Sequence, residues 1–110
     1  MKYEIRPFVM LNDINGIYEF ADENVSPEQI KVDTIRIGYP IIDYVKESYH
    51  DFPTSDGKPV TSIVSLLLEI NALINRECNA GHNYAPHCKE DYCIEVVRIE
   101  DNIANIEIGS

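Results

Sequence analysis

The sequence predicts an α+β domain: a mainly antiparallel sheet of about five strands packed against one long central helix and one or two shorter helices. Three observations lead there. Short stretches alternate apolar and polar side chains, as at residues 2–6 and 93–99. A wide apolar stripe at helical spacing runs through Val60, Ile63, Leu67, Ile70 and Ile74. Turn residues separate these stretches at short intervals. The chain has 110 residues, the size of one domain, and no linker divides it, so residues 1–110 form a single expected domain.

Residues 2–11 read as a strand. Tyr3 and Ile5 alternate with Lys2, Glu4 and Arg6, and Pro7 marks an edge or a bulge. Asn12-Asp13-Ile14-Asn15-Gly16 reads as a turn, with residues 17–21 as the returning strand of a hairpin. Ser26-Pro27-Glu28-Gln29 has the make-up of a helix start, with a capping serine and a first-turn proline. That helix is short, because residues 32–37 alternate again. Gly38-Tyr39-Pro40 ends the strand. Ile41, Ile42, Val45 and Tyr49 then share one helical face, with Asp43, Lys46 and Glu47 on the other, which predicts a second short helix and a loop at 53–58. The central helix is placed at about 59–77. Residues 78–91 read as an irregular loop and 93–99 as a strand. Asp101-Asn102 is a two-residue turn, and 103–108 return.

Composition removes several functions. The 9 Lys and Arg face 19 Asp and Glu, a formal net charge of −10. Bare nucleic acid and anionic membrane surfaces need clustered cations and are excluded as ligands. The longest purely apolar run, Leu66-Leu67-Leu68, cannot span a membrane. The N-terminus lacks the apolar core of a signal peptide, so a cytoplasmic protein is expected. No phosphate-binding glycine loop, paired-histidine zinc helix or nucleophile elbow occurs. The expected class is therefore a non-enzyme.

One cluster carries metal chemistry. Every cysteine and two of the three histidines lie between Cys78 and Cys93, spaced C-x3-H-x4-H-C-x4-C. Cys78, His82, Cys88 and Cys93 are the candidate set of four thiolate and imidazole ligands for a structural zinc, with no cofactor as the first expectation. The spacing lacks the paired C-x2-C of a zinc finger. A disulfide, or thiols packed as small apolar groups, fits the same residues. Cys78 or Cys88 beside His82 or His87 would make a nucleophile pair, but a chain this short leaves little room for a cleft and an oxyanion hole.

The remaining signal is electrostatic. Tyr39, Tyr44 and Tyr49 fall close together, among Asp43, Glu47 and Asp51. Tyrosine supplies a large rigid apolar area with a polar tip, and a negative field steers a basic protein into contact. These six residues are the expected partner-binding set. The stretch Ile35-Arg36-Ile37-Gly38-Tyr39-Pro40-Ile41-Ile42-Asp43-Tyr44-Val45, a strand entering a helix, is similar to segments of bacterial toxin-immunity proteins. The small acidic chain without catalytic motifs resembles them as well. The resemblance implies a protein that occludes the active site of a cognate toxin nuclease. Two alternatives stand beside it: a nucleic-acid mimic that inhibits a nucleic-acid-binding enzyme, and a small zinc-binding module built on residues 78–93.

Overall fold

The computed structural model describes residues 2–24, 30–38, 41, 48–82 and 89–109. The elements run β1 (Lys2–Ile5), β2 (Val9–Met10), α1 (Ile14–Glu23), β3 (Thr34–Gly38), β4 (Tyr49–Pro53), α2 (Ile63–Asn79), a 3-10 turn (Lys89–Asp91), β5 (Cys93–Glu100) and β6 (Ile103–Gly109). The class is α+β, with a six-stranded sheet in the order β1-β5-β6-β3-β4 and β2 also paired to β5. The sheet is mixed rather than mainly antiparallel, because β3 runs parallel to β6. Nor is there a single long central helix: among the described residues α1 and α2 pack together as a pair. No helix among them is long and apolar enough to cross a membrane.

The hairpin of β5 and β6 forms as the local residues predict. Asp101 and Asn102 take positive φ of 53° and 64°, the mirror-image turn that matches the twist of paired strands. β1 and β2 both pair antiparallel with β5, β1 along its C-terminal half and β2 at its N-terminal end. They are one strand interrupted around Pro7, as the proline predicts.

The expected hairpin over 12–21 is replaced by a helix. Asn12, not Gly16, takes the left-handed conformation, at φ 69°. Asp13 then caps the helix, its Oδ1 accepting the Gly16 N–H at 3.0 Å. Ile17, Phe20 and Ala21, at helical spacing, face the core. A Cβ on Gly16 would strike the Val9 methyl group and the Asp13 carboxylate, so glycine lets α1 lie close on β2. This helix also explains the parallel pair. A helix between β2 and β3 carries the chain back along the sheet, and the next strand enters in the direction of β2.

The expected helix over 41–49 is corrected at its end. Tyr49 and His50 belong to β4, paired antiparallel with β3 at Gly38 and Ile37. Residues 42–47 and the predicted helix start at 26–29 lie outside the described residues. α2 starts at Ile63 rather than near 59, because Val60 is taken by Val32, which it meets in reciprocal backbone hydrogen bonds of 2.9 and 2.7 Å. Ser62 caps α2 by accepting the Ser65 N–H. Its fully buried Leu66, Leu67, Ile70 and Ile74 meet Ile17 of α1 and Ile35, Ile37, Val97 and Ile99 of the sheet in one core.

A polar latch ties the helices together. The Asn12 N–H donates to Asn71 Oδ1 at 2.7 Å, and Asn12 Oδ1 accepts from Asn71 Nδ2 at 3.2 Å and Asn75 Nδ2 at 2.6 Å. Asn71 is only 7% exposed. Replacing it leaves buried polar groups unpaired, so Asn71→Ala is expected to lower stability by about 1–3 kcal/mol in urea unfolding. At Asn12, glycine keeps the left-handed backbone and alanine does not. Asn12→Ala should therefore be the less stable of the two by roughly 0.5–1 kcal/mol; equal stabilities would show that the backbone conformation is not constraining.

Candidate functional site

Alternation along the strands sorts the sheet into two faces. Ile5, Ile35, Ile37, Val97, Ile99 and Ala104 point toward the helices and are buried. The opposite face carries a row in register across five strands: Glu4, Arg98, Asn105, Arg36 and Asp51. Tyr49 and Asp51, two of the expected partner-binding residues, lie on this face on β4. Tyr39, Asp43, Tyr44 and Glu47 lie outside the described residues. A single helix therefore does not gather Tyr49 and Asp51 with the other four.

Arg36 organises this end of the row. Its Nε and Nη2 donate to Asp51 Oδ1 and Oδ2 at 2.7 and 3.0 Å, a bidentate pair. Its guanidinium also sits 4.3 Å from the centroid of the Tyr49 ring. Asp51 thus spends its charge within the chain and has little field to offer a partner, while the Tyr49 ring stays 55% exposed. The Arg36 hydrogen bond, then the Arg36 charge, hold the Asp51 carboxyl below its ordinary range, with burial opposing them.

The rest of the face is paired likewise. Arg98 bridges Glu4 at 2.9 Å and Glu107 at 2.5 Å; Arg6 reaches Glu4 at 2.9 Å and Lys2 reaches Glu100 at 3.5 Å. Desolvation pushes the Glu4 carboxyl up, but the hydrogen bonds and charges of Arg6 and Arg98 outweigh it, and its pKa is lowered. Hydrogen bonding to Glu107 raises Arg98, with burial opposing and Glu4 assisting. Lys2, Arg6, Arg36 and Arg98 are matched by Glu4, Asp51, Glu100 and Glu107, which leaves Glu95 over, so this face contributes little to the charge of −10.

Part of the surplus lies on α1 and the turn before it. From Pro7 to Ile30 the chain contains no Lys or Arg, yet carries Asp13, Glu19, Asp22, Glu23 and Glu28. Among the described residues, Glu19, Asp22 and Glu23 on α1 have no ion-pair partner. The same segment holds nearly all of the exposed bulk. Among the described residues the exposed large hydrophobic side chains are Phe8, Met10, Ile14, Tyr18 and Tyr49, and all but Tyr49 fall within residues 8–18. Reading 17–21 as a strand hid this surface. The helical spacing of Ile14 and Tyr18 was the signal available in the sequence.

The expected zinc ligands are placed in part. Cys78 lies in the last turn of α2, and His82 follows that helix, its Nδ1 3.3 Å from Glu77 Oε1. Cys93 opens β5 as a half-buried thiol. Cys88 lies outside the described residues. Among the described residues no three His, Cys, Asp or Glu side chains converge as a metal-binding group. Burial, aided by the Glu95 charge, raises the Cys93 pKa and so disfavours the thiolate that a metal or an electrophile requires.

The chain matches no protein-family model, no curated protein and no solved structure.

Two outcomes follow from the Glu4 and Asp51 ion pairs. Glu4 and Asp51 have lowered folded-state values, so their contribution to stability is present above the ordinary carboxylate pKa of about 4 and is lost as pH falls through the lower folded values. In Arg36→Gln, the Asp51 carboxyl followed by NMR should titrate higher than in the parent; an unchanged value would show that the pair does not hold it. Elemental analysis of protein purified without chelator tests the zinc module, and the absence of stoichiometric zinc would remove it. One zinc per chain would make residues 78–93 a metal module.

Proposed function

We propose that this chain is a small acidic binding protein that neutralises a basic protein partner. Its most specific form is a bacterial immunity protein that occludes the active site of a cognate toxin nuclease. The observation that carries this reading is the division of charge: the open sheet face pairs most of its ions internally, while the α1 carboxylates Glu19, Asp22 and Glu23 face solvent with no ion-pair partner among the described residues. Unpaired carboxylates set up the field that steers a basic surface, whereas paired ones cancel at short range.

Inhibition then works by occupancy. A nuclease holds substrate phosphates with Lys and Arg, and carboxylates can take those cations while aromatic rings fill the space the substrate leaves. Tyr49 fits the second task from the sheet edge, and Tyr39, Asp43, Tyr44 and Glu47 enter from the sequence. Asp51 fits less well, since Arg36 already holds it. A phosphate-mimicking surface has less support on the sheet face, where Arg98 and Arg36 stand inside the row and Glu4 and Asp51 at its ends.

The test is a pull-down from the native host with the chain as bait, followed by titration of the chain into the basic nuclease it captures, with cleavage of a fluorescent oligonucleotide as readout; capture of no basic nuclease would contradict the immunity reading. Inhibition at one chain per nuclease is expected, with association slowing at least tenfold between about 0.05 and about 0.5 M salt. Full cleavage in the presence of excess chain would contradict the immunity reading. Association indifferent to salt would contradict charge steering.

A further inference from the structure

We infer that the solvent side of α1, with Phe8 just before β2, is the docking face for the basic partner, a protein that presents Lys or Arg around an apolar patch; this rests on the binding-protein reading above. Ile14, Tyr18 and Asp22 follow one another at four-residue spacing and form a single stripe on the solvent side of α1, with Glu19 beside Tyr18. Tyr18 is 49% exposed and Phe8, on the approach to β2, 57%. Apolar anchors bordered by carboxylates are the arrangement expected of an interface whose centre is dehydrated and whose rim selects charge.

The backbone singles out the same place. Phe8 has a positive φ of 45°, a conformation that a bulky residue rarely adopts. Burial of its ring does not compensate that strain, because the ring stands in solvent. An exposed aromatic held in a strained conformation is instead an anchor set in place before contact. The turn behind it is fixed by Asn12, whose amide reaches both Asn71 and Asn75 on α2.

The charge selects the occupant. With no Lys or Arg among residues 8–23, and Glu19, Asp22 and Glu23 without an ion-pair partner among the described residues, the face complements a cationic surface. A second copy of the chain is disfavoured, because a two-fold contact would set Glu19, Asp22 and Glu23 against their own duplicates.

The test uses the full chain, labelled with nitrogen-15, and an amphipathic helical peptide of leucine and lysine as the probe. Its counterpart with glutamate in place of lysine is the control. Shift changes are expected to centre on residues 8–23 with the lysine peptide alone. Tyr18→Ser, and separately the near-isosteric pair Glu19→Gln and Asp22→Asn, should each weaken binding about tenfold. Should Tyr18→Ser fail to fold by circular dichroism, the isosteric pair decides. Shifts centred on Tyr49, Arg36 and Glu107, with affinity unchanged in the α1 variants, would overturn this surface and keep the basic-partner reading. No binding, or equal binding of the glutamate peptide, would overturn both. Concentration-dependent broadening of residues 8–23 without peptide would overturn the basic occupant in favour of a second copy.

Discussion

The arrangement of this domain depends on a turn of one residue. Asn12 adopts a left-handed backbone, stops β2 and points the chain into α1. Glycine would adopt that conformation more readily, but it has no side-chain amide. The Asn12 side chain joins Asn71 and Asn75 across the helix pair, and its backbone N–H completes the set. Polar groups at the edge of a core stabilise one geometry only when all are satisfied, and no buried side-chain polar atom among the described residues lacks a partner. Once α1 is docked on α2, β3 must enter beside β6 and parallel to it, which leaves β4 at the sheet edge.

The charge pattern follows from that topology. Cross-strand neighbours on the open face are of opposite sign wherever two ions meet, as at Glu4 and Arg98, Lys2 and Glu100, or Arg36 and Asp51. Such pairs add little stability in water, but they neutralise the face. The acidic surplus is left to α1 and the loops. A protein with a net charge of −10 therefore has one nearly neutral face and one negative helical edge carrying exposed aromatic and aliphatic groups.

Local features were legible in the sequence. The Asp101-Asn102 turn, the strands beside it and the apolar stripe of α2 each follow from neighbouring residues, and the structure has them. The errors fall where distant residues decide. Residues 17–21 read as the returning strand of a hairpin, yet Asn12 is claimed by partners 59 and 63 positions away, and the same residues form a helix. Val60 sits in a helical pattern but is taken by Val32. Tyr49 extends the helical spacing of Ile41 and Val45 but is drawn into a strand, where Asp51 meets an arginine fifteen residues earlier. The candidate surface was missed for the same reason: Ile14 and Tyr18 share a face only if the segment is helical.

Hydrogen exchange measured residue by residue in the parent and in Asn12→Gly tests the latch most directly. Glycine retains the left-handed turn and deletes only the side-chain bonds. Amides of α1 should exchange faster in the variant, while those of the β5–β6 hairpin and the centre of α2 keep their protection. Unchanged protection in α1, or equal loss of protection throughout the domain, would contradict the claim that Asn12 holds α1 in place.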